Sequence, residues 1–121
     1  MPPTASVLII DDDPAHLQIY RLVVESAGLR GLPVLVTTRG LEFPVNESVH
    51  VVLLDYRLAP NISARSVALQ VKDRYPSVPI VILSDLFDLP ADMAPVVQGF
   101  VRKGNPEKLL ETLRSLTQQP T

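Results

Sequence analysis

Cysteine and tryptophan are absent from the chain, and glycine occurs only five times. Without cysteine, disulfides, thiolate nucleophiles and cysteine-ligated zinc sites are excluded, and the missing disulfides fit a reducing compartment. The few glycines form neither GxGxxG nor a P-loop, which removes the glycine-rich phosphate cradles of nucleotide sites. No apolar run approaches the roughly 18 residues of a membrane span. The opening Met1-Pro-Pro-Thr-Ala-Ser lacks the basic segment and apolar core of a secretory signal, so the cytoplasm is the default expectation. Positive charge is not in excess either. The formal net charge is -2, and no Lys/Arg-rich stretch is interleaved with aromatics, so direct nucleic-acid binding is not expected.

What is present is an ordinary globular mixture, 46% hydrophobic and 20% charged, in 121 residues, the length of one packed domain. Proline is the exception: its 12 occurrences are about twice the usual share, and most punctuate the chain as connections. Val7-Leu-Ile-Ile is a short apolar run of the kind buried on both faces of a parallel sheet. It ends in Asp11-Asp-Asp. Asp13 and Pro14 suit the start of a helix, and Leu17, Tyr20, Val24 and Ala27 recur at helical spacing until Gly28. Val34-Leu-Val-Thr reads as a second, weaker strand, and residues 39–48 as a brief helix made irregular by Pro44 and Asn46. Val49-His-Val-Val-Leu-Leu is a third strand, ending at Asp55. Ser63 caps a helix whose apolar stripe is Ala64, Val67, Ala68 and Val71. Pro79 to Ser84 is a fourth strand and Gly99 to Lys103 a fifth. Pro90 and Pro95 restrict anything between them to a short or distorted helix. Asn105 and Pro106 open a last helix, with Leu109, Leu110, Leu113 and Leu116 inward, and the residues after Leu116 read as a fraying end. Strands and helices thus alternate about five times, which calls for a parallel sheet with helices on both faces.

In such sheets, ligands sit beyond the carboxyl ends of the strands. Those ends here carry Asp11 and Asp12, Asp55, Ser84 and Lys103. Converging carboxylates repel unless a cation is present, and oxygen-only ligands suit Mg²⁺ or Mn²⁺. With the cation in place, one carboxylate can attack a phosphoryl group while Lys103 neutralises its oxygens and the Ser84 hydroxyl hydrogen-bonds one of them. Taken singly, these residues have bland readings: aspartates after strands are common turn and cap residues, Ser84 a loop hydroxyl, Lys103 a surface charge, Phe100 core packing. His16 and His50 read as isolated residues without metal-ligand spacing. It is the joint placement that argues for chemistry.

Four segments carry a resemblance: Val-Leu-Ile-Ile-Asp-Asp-Asp-Pro at 7–14, Val-Val-Leu-Leu-Asp at 51–55, Ile-Val-Ile-Leu-Ser at 80–84 and Phe-Val-Arg-Lys at 100–103. Together, in this order, they resemble the receiver domains of two-component response regulators over nearly the whole chain. The resemblance implies a flavodoxin-like (βα)5 doubly wound sheet of order 2-1-3-4-5, as a single receiver domain spanning 1–121 with a core of about 6–117. It implies Asp55 as phosphoacceptor, Asp12 as direct metal ligand, Asp11 as a ligand acting largely through water, and the Arg57 backbone carbonyl as a third protein oxygen. Ser84 and Lys103 match the phosphate-contacting pair, and Phe100 the switch aromatic that follows the hydroxyl residue. The implied partners are a histidine kinase or phosphotransfer protein and a downstream protein target, with the chain a monomer or a phosphorylation-dependent dimer. It implies phosphoryl transfer to the chain itself rather than enzymatic turnover.

Three departures bear on this. Asp85 follows Ser84 where receivers carry a small residue; it either repels an incoming phosphodonor or pairs with Arg57 across the cleft mouth. Gly104 follows the lysine where many receivers have proline, and the stretch from Ser84 to Lys103 is short. A second reading therefore stands beside the first: an atypical receiver-like interaction domain that is poorly or not phosphorylated. A third, an aspartate-nucleophile phosphatase, needs an acid two residues after the nucleophile, where this chain has Arg57.

Overall fold

The computed structural model describes residues 4–117; Met1 to Pro3 and the last residues, 118–121, including most of the tail read as a fraying end, lie outside them. The elements run β1 (Ser6–Asp11), α1 (Pro14–Ser26), β2 (Arg30–Leu35), β3 (Val51–Asp55), α2 (Ala64–Arg74), β4 (Ile80–Ser84), β5 (Gly99–Arg102) and α3 (Pro106–Thr117). They form one five-stranded sheet of order β2-β1-β3-β4-β5, with every pairing parallel.

The three central strands are buried along their whole length, which is why they appear in the sequence as continuous apolar runs. Alternate residues feed two cores. Leu8, Ile10, Val52, Leu54, Ile80 and Ile82 face one side, where α2 packs through Ala64, Val67, Ala68 and Val71. Val7, Ile9, Val51, Leu53, Val81 and Leu83 face the other, covered by Leu17 and Val24 of α1 and Leu109 and Leu113 of α3.

Sheet order matches the expectation, but the five helices do not all form: among the described residues there are three α-helices. The β2–β3 connection is irregular, and Leu41, Phe43 and Val49 pack from it onto the α2 face. The brief helix expected at 39–48 is absent; Pro44 lacks a donor, and Asn46 takes a positive φ of 61°. The β4–β5 connection holds only turns, closed by Met93 N–H to Pro90 O at 3.0 Å and Val97 N–H to Met93 O at 3.1 Å. Pro90 and Pro95 keep this segment from extending into a helix, and the fully buried Met93 anchors it in the core instead.

The second strand also differs from its expected span of 34–37, because it is an edge strand in which only Gly31 and Val34 are buried, and it contains Pro33. Arg30 N–H donates to Ala5 O and Val36 N–H to Asp11 O, both at 2.9 Å, so even-numbered residues point their donors at β1. Pro33, one step out of phase, turns its donorless nitrogen away from the sheet, as an edge strand permits. Where helix starts were expected, caps form: the Asp13 carboxylate accepts from Ala15 N–H at 2.9 Å, Ser63 Oγ from Ser66 N–H at 3.2 Å and Asn105 Oδ1 from Lys108 N–H at 3.1 Å.

Candidate functional site

Strand register assembles the site. Ile10 lies opposite Leu54 on β1 and β3, so the next residues, Asp11 and Asp55, emerge side by side at the carboxyl end of the sheet. Asp55 in turn lies opposite Leu83, which puts Ser84 one step beyond it on β4. Lys103 follows β5 directly, held there by its N–H to Ser84 O at 2.7 Å.

Asp11 and Asp55 are 1% and 3% exposed, a depth at which a carboxylate must be paired or lose its charge. Asp55 is paired. Its Oδ2 lies 3.1 Å from Lys103 Nζ, and its Oδ1 accepts from Arg57 N–H at 3.0 Å. Asp11 is held by one oxygen only: Oδ1 accepts from Asp12 N–H at 2.7 Å and Asp13 N–H at 3.2 Å. Its Oδ2 is buried with no hydrogen-bond partner. Burial, first, and then the Asp55 charge and the adjoining Asp55 and Asp12 carboxyls push the Asp11 carboxyl from 3.8 up to about 8, against the lowering effect of the Asp12 N–H.

The expected residues divide as follows. Asp11, Asp55 and Lys103 converge. Ser84 is 1% exposed, and its Oγ accepts from Leu86 N–H at 3.1 Å, which leaves the hydroxyl hydrogen free to donate. Asp12 is half-buried; its carboxyl borders that of Asp11 but stands outside the cluster of ligand atoms that Asp11 and Asp55 share. Arg57 contributes its N–H to Asp55 and swings its exposed side chain to Asp85, Nε to Oδ1 at 3.5 Å, so Asp85 is paired with Arg57, one of the two expected arrangements. Phe100 is half-buried on β5, packed against the α2-side core. Gly104 takes φ +87°, a left-handed turn that accounts for glycine after the lysine.

Two neighbours were missed by the sequence reading. His16 is not isolated: it lies on the first turn of α1 with Nδ1 3.4 Å from Asp11 Oδ2 and Nε2 3.6 Å from Asp13 Oδ2. Tyr20, one turn further, is pushed up to about 12 by its own burial and by the charges of Asp55 and Asp11. Both follow from the helix phase that Asp13 and Pro14 set, since helical side chains lean back toward the N-terminus and so over the strand end. His50, by contrast, is structural: its Nδ1 accepts from Ser6 N–H at 2.9 Å, closing the start of β1.

A buried acid pair, a lysine and a hydroxyl stand together at the switch point of a 2-1-3-4-5 parallel sheet, in a doubly wound α/β protein. The chain is similar to a response regulator receiver domain protein (CheY-like) from Methanospirillum hungatei, with TM-score 0.75 and 20% identity over 93% of each chain. It is similar to a signal receiver domain of an HD domain-containing protein from Pseudomonas fluorescens, with TM-score 0.78 and 18% identity over 97% of this chain and 89% of the other. It is also similar to the chemotaxis protein CheY4 of Vibrio cholerae, with TM-score 0.75 and 20% identity over 94% and 99%. At these identities the likeness defines the fold, and the fold is that of a CheY-like response regulator receiver domain. No protein-family model and no curated protein matches the chain.

Proposed function

We propose that the chain is a phosphoacceptor module of two-component signalling, in which Asp55 takes a phosphoryl group from a histidine kinase or phosphotransfer protein. The observation that carries this is Asp55 itself: a buried carboxylate at the strand end, clamped between Lys103 Nζ at 3.1 Å and Arg57 N–H at 3.0 Å, beside a second acid with an unpaired oxygen. Clamping fixes the nucleophile's direction, so little orientational freedom remains to be lost when a donor docks.

A divalent cation fits this donor set, since Asp11 Oδ2 is a buried acceptor without a partner and the repulsion that raises the Asp11 carboxyl is what such an ion relieves. Asp11, Asp12, Asp55 and the Arg57 carbonyl would hold Mg²⁺ or Mn²⁺, which supplies charge neutralisation to the phosphoryl oxygens. In the transfer, an Asp55 oxygen forms the new bond to phosphorus as the donor's P–N bond, or P–O bond of a small donor, breaks, and the leaving group departs with the electron pair. Lys103 shifts from balancing the Asp55 carboxylate to balancing the phosphoryl oxygens. Ser84 donates its free hydroxyl hydrogen to one of them, and Phe100, half-buried beside the α2-side core, is the aromatic that follows. The chain carries out this transfer on itself and turns over no separate substrate. Its output is a changed protein-binding face for a downstream target in the cytoplasm.

One observation favours the second reading, an interaction domain that is poorly phosphorylated: Arg57, two residues after Asp55, pairs with Asp85, the residue after Ser84, at the strand ends that a donor must approach. A single experiment separates the two. Purified protein is incubated with Mg²⁺ and acetyl phosphate, and intact mass is read for one added phosphoryl group, with Asp55→Asn and chelator controls. A Mg²⁺-dependent adduct lost in the variant establishes the acceptor. A folded protein that takes no adduct from acetyl phosphate or from a kinase panel sinks the phosphoacceptor reading in favour of unphosphorylated binding.

A further inference from the structure

The phosphoacceptor reading leaves His16 without a role, although it borders the deepest part of the cleft. One ligand atom each from Asp11, His16 and Asp55 lie within 4.8 Å of one another. Asp11 is 1% exposed, and its Oδ2 has no hydrogen-bond partner, yet it lies 3.4 Å from His16 Nδ1. That separation is too long for a good hydrogen bond. It is within reach of two ligands of a single cation.

The far side of the ring supports the same assignment. His16 Nε2 lies 3.6 Å from Asp13 Oδ2, at ion-pair rather than hydrogen-bond distance, so a second carboxylate stands behind the ring. Nδ1, on the other side, faces Asp11 Oδ2, the buried oxygen that has no hydrogen-bond partner. A carboxylate behind a histidine, directing its other nitrogen at a cation, is the arrangement that orients imidazole ligands at metal sites. Asp13 is itself fixed, because its other oxygen caps α1 through Ala15 N–H.

We propose that His16 is a ligand of this cleft, so that with Asp11 and Asp55 it forms a nitrogen-containing site selective for a first-row transition cation such as Zn²⁺ or Co²⁺ over Mg²⁺. This rests on the reading of the Asp11–Asp55 cleft as a divalent-cation site and changes which cation it prefers. Imidazole nitrogen suits Zn²⁺, Co²⁺ and their neighbours, whereas Mg²⁺ favours oxygen and retained water.

Because any such site ranks Zn²⁺ above Mg²⁺ to some extent, the dependence of that ranking on His16 is what decides the matter. Zn²⁺ and Mg²⁺ are titrated calorimetrically into the native protein, His16→Ala and Asp55→Asn, and the imidazole ¹⁵N resonances of the native protein are followed during the Zn²⁺ titration. The expected result is one Zn²⁺ per chain, a loss of Zn²⁺ affinity of about tenfold or more in His16→Ala with Mg²⁺ affinity changed less than about threefold, and a large shift of His16 Nδ1. Equal Zn²⁺ affinity in native and His16→Ala proteins, or an unmoved Nδ1, overturns the proposal. If Mg²⁺ binding still depends on Asp55 in that case, only the role of His16 falls. If neither cation binds the native protein, the cation reading of the cleft falls with it.

Discussion

Replacing Asp11 by asparagine should stabilise the metal-free protein while abolishing its response to a divalent cation. The reason is the cost of an acid held 1% exposed beside another. The Asp11 carboxyl is raised from 3.8 to about 8, so between those values the folded chain keeps a proton that the unfolded chain releases. The unfolded state therefore binds fewer protons in that window, and stability falls as pH rises. The penalty is absent below 3.8, grows through neutrality and is complete above about 8. At about 1.4 kcal/mol per unit, some three units of the window lie below pH 7, which sets an upper bound of about 4 kcal/mol at neutrality. Asparagine keeps the shape, removes the charge and offers N–H donors to Asp55, so we expect a gain of about 2 to 4 kcal/mol at pH 7, shrinking to nearly nothing by about pH 4. Urea unfolding of both proteins in chelator across that range measures the difference directly, since the other carboxylates titrate in both. Saturating Mg²⁺ or Zn²⁺ should then raise the native protein and leave Asp11→Asn where it was. An asparagine variant no more stable than the native protein at any pH in chelator would refute the argument that burial and the Asp55 charge strain this site.

The other expectations concern the residues around the pair. Lys103→Met leaves the Asp55 carboxylate with only the Arg57 N–H, so it should lower stability at neutral pH by about 1 to 3 kcal/mol and cut adduct formation, read by urea unfolding and intact mass. Asp85→Ala breaks a 3.5 Å pair whose side chains are 67% and 50% exposed; stability should stay within about 0.5 kcal/mol while acetyl phosphate labels Asp55 faster. Unchanged labelling would show that the pair does not guard the mouth. Met93→Ala removes the fully buried side chain that pins the helix-free β4–β5 connection and should cost about 2 to 5 kcal/mol by urea unfolding. A cost near zero would mean that the connection only drapes over the core.

How far the fold could be read from the chain depended on whether burial was two-sided. Val7 to Ile10, Val51 to Leu54 and Ile80 to Leu83 are apolar without interruption because each strand is covered on both faces, and these are the segments whose ends carry the acids and Ser84. Edge strand β2 buries only Gly31 and Val34, includes Pro33, and so gave a weak signal that displaced the expected strand toward the more apolar Val34 to Thr37. The two connections without helices were legible only as places where proline forbids regular hydrogen bonding. What stands in place of the missing helices, Phe43 and Val49 from the β2–β3 connection and Met93, Val96 and Val97 from the β4–β5 connection, packs into the α2-side core through non-local contacts that no short window contains.

The site divides along the same line. Residues at the ends of two-sided strands were placed correctly relative to one another because a parallel register leaves their spacing little freedom: Asp11 and Asp55 must be neighbours once Ile10 meets Leu54. His16 escaped because five positions from Asp11 is neither a helical nor a strand interval, the chain changing from extended to helical between them. The signal was nonetheless present in Asp13-Pro14. An aspartate cap followed by proline at the first helical position fixes the helix phase to the residue, which places His16 in the third position, the one whose side chain in a capping box reaches back to the residues before the helix. Glutamate there would return a hydrogen bond to the cap backbone. Histidine instead stands between two carboxylates, 3.4 Å from Asp11 and 3.6 Å from Asp13, which is how a residue of the helix comes to border the strand end.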